Sequence, residues 1–586
     1  MKGNIKHLVF SVCVAFVLFS AFASVASAGT IYVPDDYAEI QWAVDSATAG
    51  DMIVVRDGVY VENIEINKPH LTIKSENGSA NCVVQAANSN DHVFNVTADN
   101  VTIKGFTVTG ATGYYKAGIC LHCLSNSRIE NVIASNNWYG ISLYDSSNNI
   151  IANNTVSNNY YGICLGYSSN NTILNNTFHL NGMVVGFSYN NTVTNNTVNG
   201  KPLVYLENVN DYVVEDAGQV IAINSNNITV ENLKLSYATF GIEFWNTNNS
   251  KIINNTASNN DYGIYLGCSG NNTIANNNVS SNDGGGINLY ESSNNIIANN
   301  TVSNNYYGIY LGYSSNNTIA NNTVSNNWDG INLHYSSNNT IANNTVSSND
   351  DDGINLYSSS NNIIENNTVS SNDDKGIRLW YSSDNIIYLN NFIDNTYNVY
   401  SYASTNIWNS TEQITYTYNG SQFTNYLGNY WSDYTGSDVD GDGVGDTPYS
   451  IDSDKDNYPL IERFENYSVP TPAKTFDTGR PDNPYPSISG KFVGTIKTNT
   501  KIIAKKLYTY ACEGTGGHTE HALICNKTWC AEAKWEGYKE DWMNISFNRT
   551  VVLMPHETYN ITIAVSYTHL RAHETEADLV CRLLLE

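Results

Sequence analysis

Three groups of residues in this chain have types and spacings that could do chemistry. The first is Asp438-Val439-Asp440-Gly441-Asp442-Gly443-Val444-Gly445-Asp446, with carboxylates at positions 1, 3, 5 and 9 and a glycine at position 6. Alternate side chains of such a run converge on one hard cation while the Val444 carbonyl, at position 7, completes the ring, so the loop is expected to take Ca²⁺. Tyr449 stands at position 12, where an EF-hand has glutamate, which points to an extracellular loop and not a cytosolic sensor. Asp452, Asp454 and Asp456 are available as further ligands. The second group is an acidic corner of Asp329, Asp351-Asp352 and Asp373-Asp374, with His334, Lys375 and Arg378 close by in sequence. The third is aromatic. Trp138, Tyr161, Tyr262, Tyr307 and Trp328 lie just before glycines, and Tyr265 and Tyr310 two residues after one. Aromatic faces beside Asn, Asp and Ser suit sugar rings, although stacked Tyr rings can equally well serve only to stiffen a sheet.

The elements that must hold these groups follow from a repeat. Gly-apolar-x-apolar occurs at Gly118, Gly140 and Gly162, and again at Gly241, Gly263, Gly286, Gly308, Gly330, Gly353 and Gly376, in steps of 22 or 23 residues. A fixed period of this size means stacked units. Ile309 in, Tyr310 out and Leu311 in is the alternation of a strand, and residues 316–324 supply two more short strands between Asn-rich bends. Three strands and three bends per unit make one rung of a parallel β-helix, with rungs ~4.8 Å apart. About sixteen rungs are expected between residues 50 and 400. Ile309, Ile331 and Ile354 then line a dry axis, and pairs such as Asn321-Asn322 stack rung on rung, each amide donating to one rung and accepting from the next.

The same geometry qualifies the candidate sites. Adjacent rungs would bring Asp329, Asp352 and Asp374 to ~5 Å, the separation of a retaining glycosidase pair, which makes these three the catalytic candidates of a polysaccharide-cutting reading. Asp before Gly is also an ordinary bend residue, so the corner reads first as a solvated acidic bend. The Asn-Asn-Thr tracts create many Asn-x-Ser/Thr sequons. Because an inward amide cannot carry a glycan, the ladder leaves Asn419, Asn466 and Asn544, outside the repeats, as the glycosylation candidates.

Composition narrows the function. Of 586 residues 55 are acidic and 28 basic, a net charge of −27, which excludes a nucleic-acid partner. Hydrophobic residues make up 41% and aromatic residues 12%, too much apolar surface for a disordered chain. Residues 1–28 carry Lys2, Lys6, an apolar run and Ala26-Ser27-Ala28, the pattern of a signal peptide, and no later stretch is apolar enough to span a membrane. The chain is therefore expected to be secreted or held at the cell surface.

The remaining boundaries follow in order. Residues 29–49 form an N-terminal cap whose helix spans Tyr37 to Ala47, and residues 50–400 form the rod, with an excursion near 200–218 read as a loop or small hairpin leaving it. Residues 401–466 close the rod and carry the Ca²⁺ loop, residues 467–489 form a Pro-rich linker, and residues 490–565 form a small β-sandwich. In that domain Cys512, Cys525 and Cys530 with His518 and His521 fit no common zinc spacing, so one disulfide and a free thiol are expected. Residues 566–586 resemble translated sequencing-adapter read-through and are set aside as an artefactual tail.

The opening Ile31-Tyr32-Val33-Pro34-Asp35-Asp36-Tyr37, the Gly50-Asp51-Met52-Ile53-Val54-Val55-Arg56-Asp57-Gly58 segment, the Asn-Asn-Thr rungs and the closing Gly428-Asn429-Tyr430-Trp431-Ser432-Asp433-Tyr434 together resemble the NosD-type β-helix proteins. This repeat class is also called the carbohydrate-binding and sugar-hydrolase type and is common in archaeal surface proteins. The resemblance, over residues 29–462, implies a right-handed helix strongly and function weakly. NosD is an accessory protein of copper-enzyme maturation. In the rod Cys120, His122 and Cys123 cluster, with Cys164 two rungs along, but Met totals 5 and no Met/His-rich tract exists, too low a soft-ligand density to infer a copper site. The expected function is a secreted or surface β-helix, supported by Ca²⁺, that binds polysaccharide or cell-surface glycan, or assembles with other surface proteins, without covalent chemistry. The alternatives are a hydrolase, lyase or epimerase at the acidic corner, and copper delivery.

Overall fold

The computed structural model describes residues 28–452 and 454–469 and, beyond them, 475–477, 490–497, 502–510, 518–526, 529–539, 542–554, 557–566 and 581–585. The signal segment and most of the Pro-rich stretch lie outside these. The chain forms a β-solenoid of about 17 turns. A representative rung runs through Tyr307–Gly312, Thr318–Ala320 and Thr323–Ser325. The next rung, Asp329–His334, Thr340–Ala342 and Thr345–Ser347, lies on it in parallel register, with Ile309 against Ile331 and Ile319 against Ile341. Ile309, Ile331 and Ile354 are fully buried, so the axis is dry as the period demands.

The rung glycine fixes the corner. A Cβ on Gly308 would lie 2.5 Å from the Gly330 carbonyl oxygen and 2.6 Å from Val324, closer than any side chain tolerates. Only glycine lets the third strand turn this tightly into the next, and the residues before it are thrown outward.

The two asparagines of each pair have opposite fates. Asn321 and Asn343 sit at bends with left-handed φ of 56° and 57°, a conformation Asn tolerates better than most residues, and are exposed. Asn322 and Asn344 are buried. The Asn322 N–H donates to Asn344 Oδ1 at 2.9 Å, and its Nδ2 donates to Asn344 Oδ1 at 3.0 Å and to the Ile297 carbonyl at 2.9 Å. The ladder is directional, each rung donating forward to the next amide oxygen, so its last member needs an acceptor with no donor of its own. Two carboxylates supply it. Asn429 donates its N–H to Asp456 Oδ2 at 2.8 Å, and Asn406 donates to Asp454 Oδ2 at 2.9 Å. Asp452 likewise accepts the Ser401 N–H at 2.7 Å. These three carboxylates end the rod, each with an oxygen accepting a backbone N–H.

The excursion is also different from expectation. Gly200, at φ 83°, turns Thr197–Val198 antiparallel onto Lys201–Glu207, and that strand then runs parallel to Gln219–Ile223, while Asn210–Val214 pairs with Asn226–Glu231. Both strands rejoin the stack as a short rung instead of leaving it. The glycine sheet is interrupted here: one six-stranded ladder ends at Met183–Gly186, and a second begins with Lys201–Glu207. Three side chains splice the edge. The N–H groups of Gly182, Met183 and Val185 donate to Thr239 Oγ1, Gln219 Oε1 and Glu243 Oε1 at 3.1, 2.9 and 3.3 Å.

At the N-terminal end, helix Ile40–Ser46 buries Ile40, Ala43 and Val44. In a second compact unit, the described strands between Thr475–Asp477 and Cys581–Leu585 form an antiparallel sheet in which Cys525 and Cys530 form a disulfide and His521 Nε2 lies 2.7 Å from Glu532 Oε1. Cys512 and the His518 side chain lie outside the described residues. Cys581–Leu585, within the segment set aside as a tail, pairs antiparallel with Ile502–Tyr510.

Candidate functional site

The seam opens an aromatic cleft of about 320 Å³ on the outer face. Its near wall is built by residues thrown outward before successive rung glycines. Trp138 stacks on Tyr160 at 4.4 Å and Tyr139 on Tyr161 at 5.3 Å, one rung apart, while Tyr114 meets Trp138 edge-on at 4.8 Å. Its far wall comes from beyond the seam, where Phe240 packs on Tyr262 at 5.1 Å. Cys164 and Val184 complete the lining. The two walls are tied by the Tyr160 hydroxyl, which donates to Asp261 Oδ1 at 2.9 Å across 101 residues of sequence.

Two buried polar atoms, the Trp138 indole N–H in the cleft wall and Asp261 Oδ2 behind Tyr160, make no well-formed hydrogen bond among the described residues, although the Tyr139 hydroxyl lies near the first and the Tyr161 hydroxyl near the Asp261 carboxylate. Burial pushes the Asp261 carboxyl up to about 6, with the Tyr160 and Tyr161 hydroxyls holding it down. An unpaired buried polar atom costs about 1–3 kcal/mol. Behind the seam Glu243 is 2% exposed with Oε2 unpartnered, and burial raises its carboxyl well above the usual range.

Of the aromatic residues expected to meet sugar, the structure brings Trp138, Tyr161 and Tyr262 together in the cleft. Tyr265 is half-buried beside Phe240 and Trp245. Tyr307 and Tyr310 pack on each other at 5.1 Å, and Trp328 stacks on Tyr306 at 5.9 Å, forming a separate aromatic run further along the rod. Tyr114, Phe240 and Asp261 were not singled out. Phe240-Gly241 carries the same aromatic-glycine signal as Tyr161-Gly162, but nothing local announces that Asp261 meets Tyr160.

The acidic corner assembles. Asp329, Asp351 and Asp352 each place one oxygen within 4.8 Å of the others, and Asp374, paired with Lys375 Nζ, lies against Asp351. Asp329 Oδ1 accepts the Asp352 N–H at 3.2 Å, Asn332 donates to Asp329 Oδ2 at 2.8 Å, and Arg378 Nη1 lies 3.3 Å from Asp352 Oδ2. Burial, then the charges of Asp329 and Asp351, pushes Asp352 up to about 7 against the pull of Arg378. Asp352 is 0% exposed, so this is not a solvated bend, and no solvent-borne substrate reaches that carboxylate.

In the Asp438 loop, Asp438, Asp440 and Asp442 each offer an oxygen within 4.8 Å of the others. Asp438 gathers the N–H groups of Gly441 and Gly443 at 2.8 and 2.9 Å, and Asp442 receives the Val444 N–H at 2.7 Å. The Asp442 charge raises the Asp440 carboxyl. Asp446 is turned elsewhere, accepting the Val439 N–H at 2.8 Å.

A family model described as "Periplasmic copper-binding protein (NosD)" matches residues 44–205, 202–327 and 286–436. The chain belongs to the NosD family. The copper in the family's description finds no matching set among the described residues. Burial pushes the Cys120 and Cys164 thiols up to about 12, against the thiolate that copper requires. Cys123 Sγ faces Asp145, His122 stacks on Tyr144, and no three Cys and His side chains converge. A cell surface glycoprotein of Methanothermus fervidus is 34% identical over 128 residues, 21% of this chain and 21% of the relative, so the match spans about a fifth of that relative's length. Among solved structures, the A-module of an Azotobacter vinelandii mannuronan C-5 epimerase is 14% identical over 63% of this chain and 92% of its own, with a TM-score of 0.26. The Dettilon tailspike protein is 14% identical over 92% and 94%, with a TM-score of 0.28. At these values the likenesses carry no argument about what this NosD-family chain does. No helix among the described residues is long and apolar enough to cross a membrane.

Proposed function

We propose that this protein is a cell-surface β-helix that binds polysaccharide through the seam cleft and makes no covalent change to it. The observation that carries the reading is the stacked aromatic wall of the cleft, with the Trp138 indole N–H in it and the Asp261 carboxylate held behind Tyr160. A sugar ring offers apolar C–H faces to the rings and hydroxyls that both accept and donate, matching each feature at once. The volume of about 320 Å³ is at the low end of the roughly 300–1,000 Å³ of small-molecule sites, which suits one or two sugar units of a longer chain. The surface assignment is supported by the surface glycoprotein relative. Asp438, Asp440 and Asp442 hold a structural Ca²⁺, with the Val444 carbonyl as a further oxygen; Asp446 would have to release Val439 to join them.

The test is a glycan array followed by calorimetry on the best ligand, with Trp138→Ala as the control. Saturable binding weakened at least tenfold by the substitution supports the reading. Binding unaffected by Trp138→Ala, or no glycan bound at all, refutes it. Release of new reducing ends or unsaturated sugars from the bound polysaccharide would refute its non-catalytic half.

A further inference from the structure

In a sequon Asn-x-Thr the acceptor is the first residue, and in Asn-Asn-Thr that is the exposed member of the pair. In Asn316-Asn317-Thr318, Asn321-Asn322-Thr323, Asn338-Asn339-Thr340 and Asn343-Asn344-Thr345, the first asparagine is exposed and the second buried. The argument that a ladder asparagine faces inward therefore removes the wrong residue. The side chains of Asn316, Asn321, Asn338 and Asn343 make no hydrogen bond within the chain, so a substituent on Nδ2 breaks nothing in the ladder, which belongs entirely to the neighbours.

The sequons are also placed unevenly. Each rung has a bend after the glycine strand, a second between the two short strands and a third leading into the next glycine strand. Between Gly118 and Gly376 sequons fall on the first and second bends, as at Asn316 and Asn321, except Asn278, which opens the strand Asn278–Ser280. The third bend carries pairs of the same left-handed geometry, Asn304-Asn305 and Asn326-Asn327, but Tyr306 or Trp328 stands where the hydroxyl residue would be. That bend leads to the aromatic residues and the seam cleft.

We propose that the first and second bends of the rod are N-glycosylation sites, so that oligosaccharide covers two edges of the solenoid and leaves the aromatic edge bare. In the reaction the asparagine Nδ2 forms a bond to the anomeric carbon of an oligosaccharide carried on a lipid phosphate. The bond from that carbon to the phosphate oxygen breaks, the lipid phosphate departs with the electron pair, and Nδ2 gives up one proton to a base. The inference is independent of the cleft's ligand.

The experiment is glycopeptide mass mapping of the full chain exported from a cell that N-glycosylates its surface proteins. Glycan is expected on rod acceptors including Asn316, Asn321, Asn338 and Asn343. Asn321→Gln and, independently, Thr323→Val should each remove one glycan mass at that position. Asn322→Ala, which keeps the sequon, should retain the glycan while lowering the midpoint of thermal unfolding. Unmodified rod acceptors in a chain whose exposed Asn419 carries glycan would overturn the proposal, as would the absence of glycan anywhere.

Discussion

The regular rungs from Gly286 to Gly376 and the seam near Gly200 are made of the same residue types, yet they handle their polar groups in opposite ways. In the regular run every buried ladder asparagine finds the next, Asn300 to Asn322 to Asn344 to Asn367, and each aliphatic residue meets its copy. At the seam the edge is closed by side chains of three kinds, Thr239, Gln219 and Glu243, and polar atoms of Trp138, Asn191, Glu243 and Asp261 are left over. The regular run has one such atom of its own, Asn288 Oδ1 on the outer face, and others lie at the acidic corner, on Arg378, and near the closing end, on Ser401 and Asn406. Periodicity satisfies the backbone, and interruptions of it create concave, unsaturated surface. The proposed binding cleft lies where the repeat is interrupted.

The largest expected effect is in the regular run. Asn322→Ala strands the Asn300 amide groups and the Ile297 carbonyl together and should cost about 3–5 kcal/mol in denaturant unfolding, while Asn321→Ala, one residue away and exposed, should cost under about 1. Equal losses would erase the distinction between the two asparagines.

Acidity should separate the regions next. Burial pushes the Asp352 and Asp456 carboxyls up to about 7 and that of Asp261 to about 6, above the usual aspartate value of ~3.9, so the folded state favours their protonated forms. That stabilisation is fully present below pH ~4, falls as pH rises through 6 to 7, and is gone above, each Asp352-like group contributing on the order of 4 kcal/mol. Urea unfolding should therefore show a more stable protein at pH 5.5 than at pH 8, with the difference reduced in Asp352→Asn. A stability that instead rises with pH would contradict the burial of these carboxyls. The seam itself should be nearly silent in stability, with Trp138→Ala shifting unfolding by about 1 kcal/mol while reducing sugar binding tenfold or more. Smallest, millimolar Ca²⁺ should raise the unfolding temperature by a few degrees in the native chain and not in Asp438→Ala, read by calorimetry in chelator and in Ca²⁺.

The rod was legible in the sequence because its requirements are local and repeated: Gly308 has no room for a Cβ, and Ile309 and Leu311 alternate with Tyr310. The clustering of Asp438, Asp440 and Asp442 was legible for the same reason, three carboxylates spaced by two. What escaped depends on partners remote in sequence. Asp261 meets Tyr160 across 101 residues because the short rung after Gly200 sets the spacing of the two ladders. Asp374 pairs with Lys375 and still lies against Asp351 at the acidic corner, an arrangement that spacing alone does not fix. That Asp452, Asp454 and Asp456 accept backbone N–H groups at the end of the rod is likewise not displayed by their spacing. The asparagine pairs were read as one unit because alternation of burial at a bend is set by the left-handed φ of the first residue, which composition does not display.

The most direct test is a crystal structure of the full chain with the best-binding oligosaccharide from the array. Density for a sugar ring between Trp138, Tyr160 and Tyr262, with a hydroxyl on Asp261 Oδ2 and another oxygen on the Trp138 indole N–H, is the predicted result. A sugar lying only along Tyr306, Tyr310 and Trp328, with the seam cleft empty, would contradict it.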